Sequence, residues 1–267
     1  YLARQIVLER ILEAKETLPK GVTSSLVPNT TGLGEVYQFF LEGPNDDETE
    51  MTETALTERR TQLDWVIRPL LKGLPGVVEV NSLGGFVKQY QVLIEPGLLR
   101  KYDLALHDIF EAVERNNANA AGSIMERQGE KYIVRGVGLI KTVEDIENIV
   151  IKEIRGTPIY VHDVADVHIG HAVRHGAAVL DGKREVVSAM VLMLRGANAK
   201  NVVETIKHKV QEIHEKGLLP DHLRIVPFYD RIELITAALK TVYKALLEGV
   251  AFVILILFLF LGHLRSA

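Results

Sequence analysis

Apolar positions recur along this chain in three ways, and each marks a different kind of element. Over residues 249–262 the sequence GVAFVILILFLFLG is apolar at every position but its glycines, without charge or proline. That run is shorter than the roughly 18 apolar residues asked of a bilayer span. Helix-forming residues nevertheless continue back to Thr241, with Lys244 and Glu248 as the only charges on the way. About 21 residues at 1.5 Å each give a helix of roughly 31 Å, close to the thickness of a hydrocarbon core. The pattern predicts a transmembrane helix, with a buried soluble helix as the rival reading. The closing HLRSA carries Arg265, so the positive-inside rule puts that exit in the cytoplasm and everything before Thr241 outside it. Glu248 then reads as an interfacial residue, against the alternative of a proton carrier inside the membrane.

Upstream, helical and strand periods alternate. Residues 3–18 set Ile6, Val7, Ile11 and Leu18 on one face of an amphipathic helix, ended by Pro19 and Gly21 and followed by a strand, VTSSLV. A strand over Val36–Leu41 precedes an acidic linker, PNDDETEMTE, which reads as a solvated loop. A helix then runs from about Leu56 to Lys72, broken or kinked at Pro69. VVEVNSL and FVKQYQVLIE predict a hairpin turning at Gly84 and Gly85. Further on, EVVSAMVLMLR reads as a strand, ANAKNVVETIKHKVQEIHEKG as a helix with Val202, Val203, Ile206, Val210 and Ile213 inward, and LRIVPFY as a strand. A helix beginning at Asp230 meets no breaker before the apolar run.

Three segments, ETLPKGVTSSLV, KGLPGVVEVNSL and GLLPDHLRIVPF, each close an amphipathic helix and launch a strand about two residues later. The predicted fold class is α+β, built from split βαβ units with two helices on one face of a sheet. Residues 96–180 interrupt that pattern with short strands, a capped turn TVEDIEN, and one helix, LHDIFEAVERNNA, with Ile109, Phe110 and Val113 inward. The expectation is a β-rich unit inserted into the first, followed by one transmembrane α-helix.

Composition narrows the function classes. With 267 residues, 47% hydrophobic and 25% charged, the chain has room for two or so folded domains. A net charge of −4, a pI near 6.2 and no basic stripe argue against a nucleic-acid partner. The absence of cysteine is compatible with an oxidising compartment and with the cytosol alike. No serine or cysteine nucleophile sits in a recognisable motif, and GVGLIK does not continue into a phosphate-binding loop, so ATP hydrolysis is not expected, and a soluble α+β enzyme with a buried helix stays as a third reading. The chain opens within a helix and without an initiator Met, which suggests an internal piece of a longer membrane protein.

Four histidines, His162, His168, His171 and His175, fall within one stretch of fourteen residues. Neutral imidazole suits zinc, cobalt and nickel, so His168, His171 and His175 are candidate metal ligands. In a strand, His171 and His175 share a face while His168 points away, so a common site requires a turn, with Gly170 the candidate. The competing reading is a set of solvent-exposed histidines. Trp65, Phe39 and Phe40 read as core.

Six collinear stretches carry a further signal: LPGVVEVNSLGGFVKQYQV (Leu74–Val92), NNANAAG (Asn116–Gly122), VRGVGLI (Val134–Ile140), VHDVADVHIGHAVRHGA (Val161–Ala177), YDR (Tyr229–Arg231) and LFLGHLRSA (Leu259–Ala267). Together, over the whole chain, they resemble the heavy-metal efflux branch of the resistance-nodulation-division (RND) pumps, the inner-membrane component of tripartite cation efflux systems. The resemblance implies that residues 1–31 end a first porter subdomain, and that 32–93 with 181–232 form a second, ferredoxin-like one. It makes residues 94–180 an inserted docking subdomain, and 233–267 a helix leading into transmembrane helix two.

By the same resemblance the protein is a secondary active transporter needing no cofactor, exporting a divalent cation against protons. Its partners would be two further copies in a homotrimer, a periplasmic adaptor, an outer-membrane channel and the lipid bilayer. It would lie in a bacterial inner membrane with residues 1 to about 240 periplasmic. Copper-exporting members use thioethers, which makes Met190 and Met193 candidate soft ligands, although three residues apart on a strand they face opposite sides and read equally as core. Four Met and several His favour zinc, cobalt or cadmium over copper or silver. The family's proton-relay carboxylates and principal metal ligands lie in segments outside this chain. The rival function is a membrane-anchored extracytoplasmic binding or adaptor domain.

Overall fold

The computed structural model describes residues 2–19, 22–44, 46, 51–119, 124–127, 130–133, 138–174 and 176–261. The chain divides into two compact units, one formed by 1–85 with 176–267 and the other by 86–175. The first unit is entered twice by the chain. Together the elements make a mixed α+β protein with antiparallel sheets and one long apolar C-terminal helix.

In the first unit, α1 (Leu2–Ala14) buries none of its residues. VTSSLV, expected as a strand, forms none: no sheet edge pairs with it, and an isolated strand leaves its peptide groups to water. β1 (Glu35–Glu42) is buried along most of its length. α2 (Glu53–Gln62) starts at Thr52, whose side chain accepts from the Ala55 amide at 3.2 Å. The expected kink near Pro69 is a widened π-turn over Leu63–Ile67 that precedes α3 (Arg68–Lys72). Pro69, which has no N–H to donate, follows directly on the turn where Arg68 N–H pairs with the Leu63 carbonyl and widens the helix. β2 (Val77–Leu83) follows.

The second unit holds β3 (Lys88–Ile94), α4 (Pro96–Lys101), α5 (Leu106–Asn116), β4 (Ile124–Arg127), β5 (Glu130–Ile133), α6 (Val143–Glu147), β6 (Val150–Ile154), β7 (Thr157–Tyr160) and β8 (Ala165–His171). Its strands pair as β3–β8, β4–β5 and β6–β7, all antiparallel. Leu104, Ile109, Ala112, Ile146, Ile149, Ile151, Ile159, Val161, Val164 and Val167 form its core. The TVEDIEN turn is α6, capped by Thr142 and Asp145 in a reciprocal box.

Back in the first unit come β9 (Ala178–Leu180), β10 (Arg184–Met193), α7 (Ala199–Glu215), β11 (Arg224–Asp230) and α8 (Arg231–Leu261). The sheet order is β11-β1-β10-β2, with β9 pairing the start of β10. α3 touches both β2 and α7, and α7 touches β1 and β11, so the two helical layers share one face of the sheet. Leu56, Leu63, Ile67, Leu71, Val203, Ile206 and Ile213 are buried there with Tyr37, Phe39, Leu41, Val80, Val187 and Val191. The α7 face matches its expected apolar stripe residue for residue.

The expected β2–β3 hairpin does not form: β2 pairs with β10, and β3 with β8. Gly84 and Gly85 have φ of 74° and 66°, and a Cβ on Gly85 would come within 2.7 Å of a Val187 methyl and 3.0 Å of the Leu56 carbonyl. These glycines seat the end of β2 against the sheet unit instead of turning it back on itself. Two aromatic residues expected inside are outside: Trp65 is 80% exposed and Phe110 61%. Trp65 stands on the solvent side of the π-turn, whereas Phe39 and Phe40 are buried as expected.

A buried ion pair holds the start of the acidic linker. Arg59 on α2 donates from Nη1 and Nη2 to both carboxylate oxygens of Asp46 at 2.7 Å, and from Nη1 to the Leu41 carbonyl at 3.2 Å. The Gly43 amide donates to Asp46 at 2.8 Å, and Arg184 approaches it at 3.7 Å while pairing with Glu42 at 3.1 Å. Burial pushes the Asp46 carboxyl up, but the hydrogen bonds from Arg59 and Gly43 and the nearby guanidinium charges outweigh it and hold it below the usual range. Removing one partner of such a pair strands the other's charge. Arg59→Ala is therefore expected to cost about 3–5 kcal/mol in urea unfolding of the detergent-solubilised chain followed by circular dichroism. The depressed Asp46 makes the pair's contribution complete at neutral pH and progressively lost as pH falls below about 5. The same unfolding measured from pH 7 down to pH 3 should show this acid loss in the parent and a flatter profile in Arg59→Ala.

Candidate functional site

The histidines lie on and beside β8. His168 stands opposite Gln91 in the β3–β8 ladder and His171 opposite Lys88, three residues apart and on opposite faces of the strand. His168 Nδ1 is 3.0 Å from Asp166 Oδ2. A carboxylate on one ring nitrogen is the arrangement that orients a metal-ligating histidine and leaves Nε2 outward. His171 Nδ1 is 3.0 Å from the Ala172 carbonyl, and its ring packs 4.6 Å from that of Phe86. The Arg174 guanidinium covers Phe86 at 4.4 Å. His162 stacks on Tyr160 at 5.1 Å and sets Nδ1 2.9 Å from the Glu147 carbonyl. His175 lies outside the described residues. Among the described residues no three His, Cys, Asp or Glu side chains come close enough together to hold a metal ion.

Met190 and Met193 occupy the central strand β10. Met190 faces Gln38 on one neighbouring strand and Asn81 on the other, and Met193 faces Val77. Both are half-buried, and strand alternation puts them on opposite sides of the sheet. Phe40 and Phe228 form an aromatic pair at 6.4 Å with the Arg184 guanidinium 6.0 Å over Phe40.

The charged groups that organise the first unit carry no local mark in the sequence. Asp46 and Arg59 sit in polar stretches that look solvated, and Asp230 in a strand end that looks like a simple boundary. Only spacing to a remote partner distinguishes them, and that spacing is set by the fold. Glu79 on the edge strand β2 is likewise held by Lys72 at 3.0 Å and Arg68 at 3.1 Å from α3.

α8 is 31 residues long, and no residue of the apolar window within it is buried. It begins at the residue after β11 with no intervening loop. That helix is long and apolar enough to cross a membrane, a candidate span in one piece with a folded α+β unit. The comparisons identify the family. The model of the AcrB/AcrD/AcrF family matches residues 1–267, and the chain belongs to that family of RND transporters, which are not enzymes.

Over its full length the chain is 44% identical to the cobalt-zinc-cadmium resistance protein CzcA of Cupriavidus metallidurans and 38% identical to the cation efflux system protein CusA of Escherichia coli. It covers 25% of each of those proteins, so it spans about a quarter of the curated relatives it matches. A crystal structure of a heavy metal efflux pump superposes on 98% of this chain and 25% of its own, with a TM-score of 0.83 and 35% identity.

The split of His168 and His171 between two faces makes their behaviour towards metal independent. In calorimetric zinc titrations of the folded chain, His168→Ala and His171→Ala should have additive effects, with a coupling within about 0.5 kcal/mol in the double mutant.

Proposed function

We propose that the chain is the porter and docking portion of a proton-driven heavy-metal cation efflux pump in a tripartite export system. What supports the reading is similarity over the whole chain to metal-efflux relatives, together with a membrane-length helix continuous with the last strand of the sheet. In this reading residues 1–31 end a first porter subdomain, and 32–93 with 181–232 make a ferredoxin-like split βαβ porter. The order β11-β1-β10-β2 with both helical layers on one face supports that assignment. Residues 94–180 are a docking subdomain, supported by the separate core of the unit over 86–175. Residues 233–267 lead into a span of a bacterial inner membrane, with the chain up to about residue 240 in the periplasm.

The assembled pump would be a homotrimer joined to a periplasmic adaptor and an outer-membrane channel. Its substrate is proposed to be a divalent cation of the zinc, cobalt and cadmium group, the metals named for the relative with 44% identity. The histidines of β8 and the methionines of β10 enter the proposal as separate side chains along a path, since each pair is divided between two faces of its strand. This chain's share of the work is mechanical: the sheet unit shapes the route and α8 connects it to the bilayer.

The test is metal tolerance. Disrupting the gene that encodes the pump should reduce growth in graded zinc, cobalt or cadmium and leave growth in copper and silver unchanged. A proton uncoupler should abolish efflux of the affected metal from loaded cells. Sensitivity confined to copper and silver would reverse the assigned metal class, and unaltered tolerance to every metal would remove the pump reading.

A further inference from the structure

The root of α8 is held by a cluster of side chains that transport as proposed does not itself require. Asp230, the last residue of β11, is 7% exposed. Its Oδ1 accepts from the Ile232 amide at 2.8 Å, capping the first turn of α8. Its Oδ2 is ion-paired with Nζ of Lys207, near the middle of α7. Tyr37 stands opposite Asp230 in the β1–β11 ladder and is itself buried. Burial first, and the Asp230 charge second, push the Tyr37 phenol up to about 12, which keeps it neutral beside the carboxylate. The next residue, Arg231, donates from Nη1 to the Leu33 carbonyl just ahead of β1.

Backbone continuity fixes where α8 starts but not where it points. A strand can pass into a helix over a small range of φ and ψ, and each choice aims the helix differently. At 31 residues α8 is about 46 Å long, so a turn of about 10° at its root moves the far end by roughly 8 Å. Its neighbours within the unit are α7 and β1, the two elements that the Asp230 cluster reaches. Asp230 is buried, whereas the Lys207 side chain is 45% exposed, so the lysine can leave while the carboxylate stays in place. A carboxylate left buried without its cation is costly, which pulls α7 and the helix root back together.

We propose that Asp230 and Lys207 form a clamp that sets the direction of α8 against α7 and the sheet, with Asp230 as the positioning residue that hands displacement of the sheet unit to the membrane helix. The proposal rests on the reading of α8 as a membrane span. It assigns the ion pair a role distinct from the cap, since both use the same carboxylate through different oxygens.

The chain has no cysteine, so spin labels can be placed through Asn201→Cys on α7 and Val242→Cys on α8 without removing native thiols. Pulsed electron-electron distance measurements are made on the full chain in phospholipid nanodiscs. The parent should give one narrow distance distribution. Lys207→Met and Asp230→Asn should each lose it to a broad one, while Lys207→Arg restores the narrow distribution; Asp230→Asn and Lys207→Arg keep the parent melting temperature, whereas Lys207→Met, which strands the buried carboxylate, lowers it. Asp230→Asn retains a capping oxygen and removes only the charge, so it separates the ion pair from the cap.

A distribution as narrow as the parent's in both Lys207→Met and Asp230→Asn would overturn the clamp. Broadening in Asp230→Asn that comes only with a fall in its melting temperature would overturn it too, in favour of a role in stability alone. The distances need no transport, so failure here leaves the metal-tolerance outcome unaffected, and failure of the pump reading there leaves the distances unaffected.

Discussion

The pairing of β1 with β10 is the constraint on which the sheet unit depends. It sets Phe39 opposite Ala189 and Leu41 opposite Val187, and its flanking ion pair, Glu42 with Arg184, joins residues 142 positions apart. Without it β11 and β2 have no common sheet, because each adds to one side of this central pair. Closing so long a connection is tolerable because the entropy of closure grows only with the logarithm of length. It is easier still when the intervening chain folds on its own core, as residues 86–175 do.

Charge then refines what burial builds. Arg59 would be a liability in the interior, but Asp46 meets it with two hydrogen bonds and the Leu41 carbonyl takes a third. Such a pair adds little net stability compared with apolar residues of similar shape, yet it penalises every arrangement that separates its members. The same logic applies at the end of β11, where a buried carboxylate is answered from α7 and from the first turn of α8. Both devices join segments that no local pattern connects.

The candidate metal-binding side chains behave differently because strand geometry divides them. Alternation along β8 sends His168 and His171 to opposite faces, and alternation along β10 does the same to Met190 and Met193. What the fold concentrates instead is mechanical continuity. A sheet unit passes without a loop into a helix of membrane length, in a family of RND transporters. The proposed division of labour follows, with this segment guiding and transmitting movement.

Much of this was legible in the residues themselves. The inward stripe of α7 emerged from a period of 3.6, the α6 cap from Thr142 and Asp145, and the reach of α8 from an apolar run with no breaker behind it. These are local properties, fixed by side chains a turn or less apart, and they hold whatever the rest of the chain does. The β2–β3 hairpin and the VTSSLV strand do not form, for the opposite reason. Neighbourhood in sequence favours a hairpin, but remote partners, β10 and β8, offered the better pairing, and VTSSLV had none. Hydrophobicity likewise says that Trp65 and Phe110 gain by burial, not whether anything covers them. Only the tertiary structure decided which strands meet, which charges are buried together and how α8 is rooted, because each depends on free energy summed over segments far apart along the chain.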